Sequence, residues 1–203
     1  MPRYEAVGFD LLTALLDTRT LWTAVAGDGD LGLRWHAASQ RLLRGQRYWP
    51  FEDLVREAAE STGIAPERAE ELLARWGESR PWPDTVVTLE QLGPRTCFVV
   101  MNCSIVLGAL AAANAGTFDL VMTAEEAGAY KPDPQPYVAA LERLGLDPAR
   151  VLFVAGSAHD VGGAGRAGMD VYWANRGGVP APEDGTPIAT ATDLSGLLPL
   201  LAQ

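Results

Sequence analysis

The stretch Tyr4-Glu5-Ala6-Val7-Gly8-Phe9-Asp10-Leu11-Leu12-Thr13-Ala14-Leu15-Leu16-Asp17 decides the fold. Tyr4–Phe9 is mostly apolar and alternates only weakly, which predicts a strand buried on both faces, and the run stops at a carboxylate, Asp10. The pattern recurs twice. Thr96–Met101 runs into Asn102, Cys103 and Ser104, and Ile105–Ala113 then reads as a helix; Val151–Ala155 runs into Gly156–Asp160, before a small-residue helix to Ala167. Weaker strands are predicted at Asp119–Met122 and Val171–Ala174, and the helix Pro134–Leu144 repeats Val138, Leu141 and Leu144 on one face. Strands alternating with helices imply an α/β protein with a parallel sheet covered on both faces.

Between Leu21 and Trp82 the alternation stops. No strand is predicted there, but three helical runs are: Leu31–Leu43, Phe51–Ser61 and Pro66–Trp76. Gly63 suits the end of the second and Pro66 the first turn of the third. Five of the six tryptophans, Trp22, Trp35, Trp49, Trp76 and Trp82, fall in this stretch and are expected mostly in its core, with one or two facing a cleft. Asp28 and Asp30, among glycines, read as a solvated turn with too few acids for a calcium loop. Gly177–Thr186 reads as a loop before a last helix, Leu194–Leu201. The expected organisation is a sheet domain of residues 1–18 and 83–203, with residues 19–82 as an all-helical insertion after the first strand.

Composition excludes several classes. The chain has 203 residues and a net charge of −10, so it lacks the clustered cations that phosphate binding needs, and nucleic acid is not an expected partner. No apolar run approaches a membrane span, and Met1–Asp10 has neither the basic end nor the apolar core of a signal peptide, so a cytoplasmic protein without membrane contact is expected. Cys97 and Cys103 cannot make a disulfide framework, and no Cys/His cluster has zinc spacing. Fifteen of the 16 basic residues are Arg; the single lysine is Lys131. A lone Lys suggests a position that wants a compact ammonium rather than a planar guanidinium, with compositional chance as the other reading of the count.

In open α/β sheets, ligands bind beyond the carboxyl ends of the strands. The polar residues expected at that rim are Asp10, Asn102, Ser104, Ser157, His159 and Asp160, with Lys131 in the loop Gly128–Pro134. An aspartate, an ammonium and a second carboxylate converging there suggest an activated carboxylate nucleophile, although Asp10 and Asp160 taken singly read equally as helix caps. Phe9-Asp10-Leu11-Leu12-Thr13-Ala14-Leu15-Leu16-Asp17, Asn102 with Ser104, Lys131-Pro132-Asp133-Pro134 with Tyr137, and Phe153-Val154-Ala155-Gly156-Ser157-Ala158-His159-Asp160 resemble, in order, the four motifs of the haloacid dehalogenase (HAD) superfamily. The resemblance implies a Rossmann-like parallel sheet with a helical cap inserted after the first strand. It makes Asp10 the nucleophile and Lys131 the residue that steadies it.

The departures narrow the chemistry. HAD phosphatases carry a second Asp where this chain has Leu12, a Thr or Ser at Met101, and an acid at Gly156 that helps hold Mg²⁺. An alkoxide leaving group needs a proton, and a phosphoryl dianion beside a carboxylate needs a cation between them. Phosphatase activity and a Mg²⁺ cofactor, with only Asp10, Asp160 and the Leu12 carbonyl to ligate it, are therefore disfavoured. The chain is more similar to the (S)-2-haloacid dehalogenases, which lack that second Asp and need no metal. There the resemblance implies displacement of halide by Asp10, an ester, and its hydrolysis. Asp160 would hold Lys131 or position water, Asn102 would contact halide, and Tyr137 matches a nearby tyrosine. Dehalogenases, however, have Tyr at Leu12, Thr at Ala14, and Ser or Asn at Met101, Ala155 and Ser157; their cap arginine aligns with Arg34 or His36. Leu12, Asn102, Ser104, Tyr137, Ser157, Arg34 and His36 are the candidate substrate-binding residues.

Rival readings are weaker. Gly163-Ala164-Gly165-Arg166-Ala167-Gly168 matches the dinucleotide fingerprint by letter, but it lies well after its strand and reads as a close-packed helix and its stop. Ser157 misses both glycines of a nucleophile elbow. Cys103 with His159 could form a thiol nucleophile. The remaining choice is between a metal-independent hydrolase acting on a small carboxylic-acid-type molecule and a non-catalytic HAD-like protein binding a small anion or a partner, as monomer or homodimer.

Overall fold

Strand β1 (Ala6–Asp10) has all five residues buried, as a central strand of a covered sheet requires. A computed structural model describes residues 3–43 and 47–202; Met1 and Pro2 of the opening stretch lie outside them. β1 pairs in parallel with β4 (Thr96–Met101) on one side and β6 (Val151–Ala155) on the other. Strand β5 (Leu120–Thr123) extends the sheet beyond β4, and β7 (Asp170–Ala174) and β8 (Ala189–Ala191) extend it beyond β6, all parallel. The order β5-β4-β1-β6-β7-β8 turns outward in both directions from β1, so the crevice of this sheet opens at the end of β1, where Asp10 lies.

The weak alternation has a direct cause: both faces are buried. Val7, Phe9, Val99, Met101, Leu152 and Val154 face one core; Ala6, Phe98, Val100, Val151, Phe153 and Ala155 face the other. Gly8 is required between them, since a Cβ there would lie 2.5 Å from Phe98 Cζ and 2.9 Å from Phe153 Cδ2. The first core also takes in Trp22, Trp35 and Trp76, so the helical insertion packs continuously onto one face of the sheet. Trp49 is 39% exposed.

Among its described residues the insertion holds four α-helices rather than three: α1 (Thr18–Ala26), α2 (Gly29–Leu42), α3 (Phe51–Thr62) and α4 (Pro66–Ala74). Helix α1 was overlooked although Leu21, Trp22 and Val25 share its buried face; Asp17 accepts from the Thr20 amide at its start, and Gly27 closes it at φ 74°. Asp28 and Asp30 are both solvent-exposed as expected, with Asp28 in the turn between α1 and α2. Asp28 caps α2 through the Leu31 amide at 2.7 Å, and Asp30 lies in the first turn of the helix. A two-residue strand pair, β2 (Leu16–Asp17) with β3 (Arg80–Pro81), closes the base of the insertion, too short to carry a periodic signal.

Helices α5 (Thr85–Gln91), α6 (Ile105–Ala115), α7 (Ala124–Ala127), α8 (Gln135–Leu144) and α9 (Ala158–Arg166) complete the crossovers. The glycine-rich fingerprint lies inside α9, where a Cβ on Gly163 would press on Tyr137, and Gly168 stops it at φ 89°. The last helix, α10, is only Leu197–Leu201, because Asp193 accepts from the Ser195 amide and turns the chain first. Among the described residues no helix is long and apolar enough to cross a membrane.

Candidate active site

Asp10 ends β1, and the chain turns at once through a π-helical turn, Leu11–Leu15. That turn folds the amides of Thr13 and Ala14 back onto Asp10 Oδ2 at 3.0 and 3.3 Å, and the Thr13 hydroxyl donates to the same oxygen. The other oxygen, Oδ1, accepts from Lys131 Nζ at 2.8 Å. Lys131 is set by Asn102 at the end of β4: Asn102 Nδ2 donates to the Lys131 carbonyl at 3.0 Å, and the Lys131 amide donates to Asn102 Oδ1 at 2.7 Å. Its ammonium also lies 3.3 Å from the carboxylate of Asp160, in the first turn of α9. Tyr137 on α8 donates to Asp160 Oδ1 at 2.7 Å.

The three charged groups are 4%, 4% and 3% exposed for Asp10, Lys131 and Asp160. Burial opposes the Lys131 charge, but the two facing carboxylates outweigh it and hold its pKa above the ordinary lysine value. Burial raises the Asp160 carboxyl against the pull of Lys131, and pushes Tyr137 well above its usual range. Removing either carboxylate would leave the ammonium under-neutralised in the interior, a cost a protein tolerates most readily at a working site.

Above the triad lies a cavity of about 60 Å³. Its polar floor is Asp10, Asn102, Lys131, Ser157 and Asp160; its apolar wall is Leu12, Trp22, Leu43, Phe51 and Trp76; His36 and Gln40, one helical turn apart on α2, face in from the insertion. His36 packs edge-on to Trp22, with ring centroids 5.2 Å apart. Burial, and then the positive charge of Arg19, lower its pKa to about 4, so the imidazole is neutral at pH 7.

The expected residues divide clearly. Asp10, Leu12, Asn102, Lys131, Ser157, Asp160 and His36 come together around the cavity, and His159 joins them. Arg34 does not: Trp35 between it and His36 is fully buried, and Arg34 falls on the exposed side of α2. Ser104 is also outside the lining, spent on capping α6 and on donating to Glu52 at 2.5 Å. Tyr137 is buried beneath the floor and acts on Asp160 rather than on the cavity. Asn102 borders the cavity, but its amide engages the Lys131 backbone in both directions. Cys103 is not in the lining, and burial pushes its thiol far up, so it is no match for a reactive thiolate beside His159. Sequence reading missed Thr13 and Gln40. Thr13 carried a signal: it sits one residue before Ala14, where the related enzymes have their threonine.

The residues do not fit a Mg²⁺ site. Lys131 already bridges Asp10 and Asp160, and the Leu12 carbonyl accepts from Thr18 at 2.9 Å. An acid at Gly156 has no room, since even a Cβ there would lie 2.2 Å from Thr13 Oγ1 and 2.3 Å from the Ala14 amide. Among the described residues no group of three or more His, Cys, Asp or Glu could hold a metal ion. An ammonium and a hydroxyl fill the corner a divalent cation would need.

Residues 4–168 match the profile of the haloacid dehalogenase-like hydrolases. The chain is 35% identical over 138 residues to (S)-2-haloacid dehalogenase 4A of Burkholderia cepacia, a match covering 65% of this chain and 60% of that protein, so it spans less than two thirds of that relative's length. It is 34% identical over 198 residues to (S)-2-haloacid dehalogenase 1 of Pseudomonas sp. strain CBS-3, covering 87% and 86%. It is also 30% identical over 186 residues to a phosphoserine phosphatase of Thermus thermophilus, covering 85% and 75%. A dehalogenase crystallised as an intermediate complex superposes with a TM-score of 0.85 at 27% identity, covering 100% of this chain and 99% of that one.

Proposed function

The chain belongs to the haloacid dehalogenase-like hydrolases, and from that premise we propose that it hydrolyses a small 2-substituted carboxylic acid, a 2-haloacid first among them, through an aspartyl ester and without a metal. The observation that carries the reading is Lys131 Nζ at 2.8 Å from Asp10 Oδ1, with the Thr13 and Ala14 amides on the opposite oxygen. Asp10 is the nucleophile. Its carboxylate attacks C2, the carbon–halogen bond breaks, and halide leaves with the bonding pair and needs no proton. Water then adds to the Asp10 acyl carbon, the ester C–O bond breaks, and the 2-hydroxy acid and one proton are released. Lys131 fixes the attacking oxygen and offsets charge at the acyl oxygen as water adds. Asp160, held by Lys131 and Tyr137, positions the water. Residues 19–82 serve as a cap whose tryptophans exclude bulk solvent, with His36 where related enzymes carry a cap arginine.

Halide release and phosphate release measured on one sample test this, with (S)-2-chloropropionate and p-nitrophenyl phosphate, each with Mg²⁺ and with EDTA. Expected are halide release indifferent to EDTA and no phosphate release. Phosphate release abolished by EDTA, without halide release, would replace this reading with a phosphatase. Inactivity on both would favour an anion-binding HAD-like protein.

A further inference from the structure

In the π-helical turn behind Asp10 the Leu16 amide closes on the Leu11 carbonyl, and the later carbonyls, at the end of so short a helix, need partners from outside it. Leu12, Thr13, Ala14 and Leu15 all have one. Leu12 accepts from the Thr18 hydroxyl at 2.9 Å, and Leu15 from the Thr85 hydroxyl at 2.7 Å and the Trp82 amide at 3.0 Å. The middle two meet a stacked pair of side chains. Trp82 Nε1 donates to the Thr13 carbonyl at 3.2 Å, and Arg176 donates to the Ala14 carbonyl from Nε at 3.2 Å and from Nη2 at 2.9 Å. The Arg176 guanidinium lies 5.2 Å from the Trp82 ring centroid and pairs with Asp84 at 2.9 Å. Asp84 is itself anchored by the Leu194 amide at 2.7 Å.

We infer that Trp82 and Arg176 are positioning residues for Asp10, bracing the turn through its carbonyls. The Thr13 carbonyl and the Ala14 amide belong to one planar peptide unit. Trp82 therefore holds, at the oxygen, the same plane whose N–H donates to Asp10 Oδ2 at 3.3 Å. Donation to the carbonyl also polarises that N–H and strengthens its bond to the carboxylate. Arg176 holds the next peptide plane by its oxygen, so one stacked pair fixes two consecutive units. With Oδ2 anchored in this way the carboxylate is held against rotation, and Oδ1 keeps its line of attack beside Lys131. Neither Trp82 nor Arg176 lines the cavity above Asp10, so losing either weakens orientation and leaves substrate binding alone. Trp82 is the last residue of the insertion and Arg176 follows β7, so the brace ties both to the nucleophile. The inference rests on the proposed role of Asp10 as nucleophile, but part of its test needs no turnover.

Trp82→Phe keeps an aromatic ring beside Arg176 and removes the indole donor; Arg176→Lys keeps the charge beside Asp84 but cannot place two forked donors on one carbonyl. Hydrogen exchange of the Ala14 amide, and kinetics on (S)-2-chloropropionate, are compared in both variants and the parent. In each variant the Ala14 amide is expected to exchange about fivefold faster relative to the β1 amides, the factor that one lost hydrogen bond gives. The kcat is expected to fall about fivefold with KM unchanged. Equal Ala14 exchange in Trp82→Phe and the parent would overturn the brace. Faster exchange with unchanged kcat, or a change confined to KM, would overturn its action on Asp10. If the parent releases no halide, faster Ala14 exchange in Trp82→Phe would count against the reaction and leave the brace standing.

Discussion

Thr13 shows how one residue compensates for another. The dehalogenase pattern calls for a threonine at position 14, and this chain has Ala14; the preceding Thr13 places its hydroxyl on Asp10 Oδ2 instead. That contact, with the two amides on the same oxygen, leaves Oδ1 as the oxygen with a single donor and a lone pair free for attack. Thr13→Val is therefore expected to lower kcat about tenfold with little change in KM, and Thr13→Ser to recover most of it. Unchanged kcat in Thr13→Val would make the hydroxyl incidental. Lys131→Arg, which keeps charge but cannot place a point donor between two carboxylates, is expected to cost a hundredfold or more in kcat. A Lys131→Arg enzyme with near-parental kcat would remove lysine from the mechanism.

At the scale of elements, the site depends on how tightly the π-helical turn after β1 seats against the end of β6. Gly156→Ala forces a Cβ into Thr13 and the Ala14 amide, and the variant is expected to lose about 1–3 kcal/mol in chemical denaturation. A Gly156→Ala midpoint equal to the parent's would mean that the turn yields freely. The strand ends were the most legible part of the sequence. β4 and β6 occur at the predicted residues because their flanking polar residues stop them sharply; Asp10 and Asp160 were visible as chemistry at or just beyond strand ends, and Lys131 in the loop before α8. The β2–β3 pair was not legible, because a two-residue ladder carries no periodicity, whereas helix α1, with Leu21, Trp22 and Val25 on one buried face, was overlooked. Nor could one-dimensional reading separate Arg34 from His36. Their assignment depends on which side of Trp35 faces the cavity, a property of how α2 rotates against α1 and α3.

At the scale of the whole molecule, the acid response carries one separable contribution. The His36 imidazole takes a proton near pH 6.5 when unfolded but only near pH 4 when folded, so the unfolded chain binds more protons in that window. Its contribution is complete above about pH 6.5 and is lost as pH falls toward 4. The expected size is on the order of 2 kcal/mol. Denaturation of the parent and His36→Gln at pH 7.5 and pH 4.5 isolates it: the parent should lose more stability than the variant, and equal losses would contradict the burial of a neutral ring. The whole architecture converges on Asp10, held at the end of the central strand by groups from the π-helical turn and from the loop before α8, and bordered by helices from the insertion. Whether that carboxylate forms the covalent bond is measured most directly by a single turnover in H₂¹⁸O, with enzyme in excess over (S)-2-chloropropionate. The ester route predicts largely unlabelled 2-hydroxypropionate and ¹⁸O retained in the peptide carrying Asp10. Product labelled in the first turnover, with an unlabelled Asp10 peptide, would mean that water attacks C2 directly and that Asp10 is not the nucleophile.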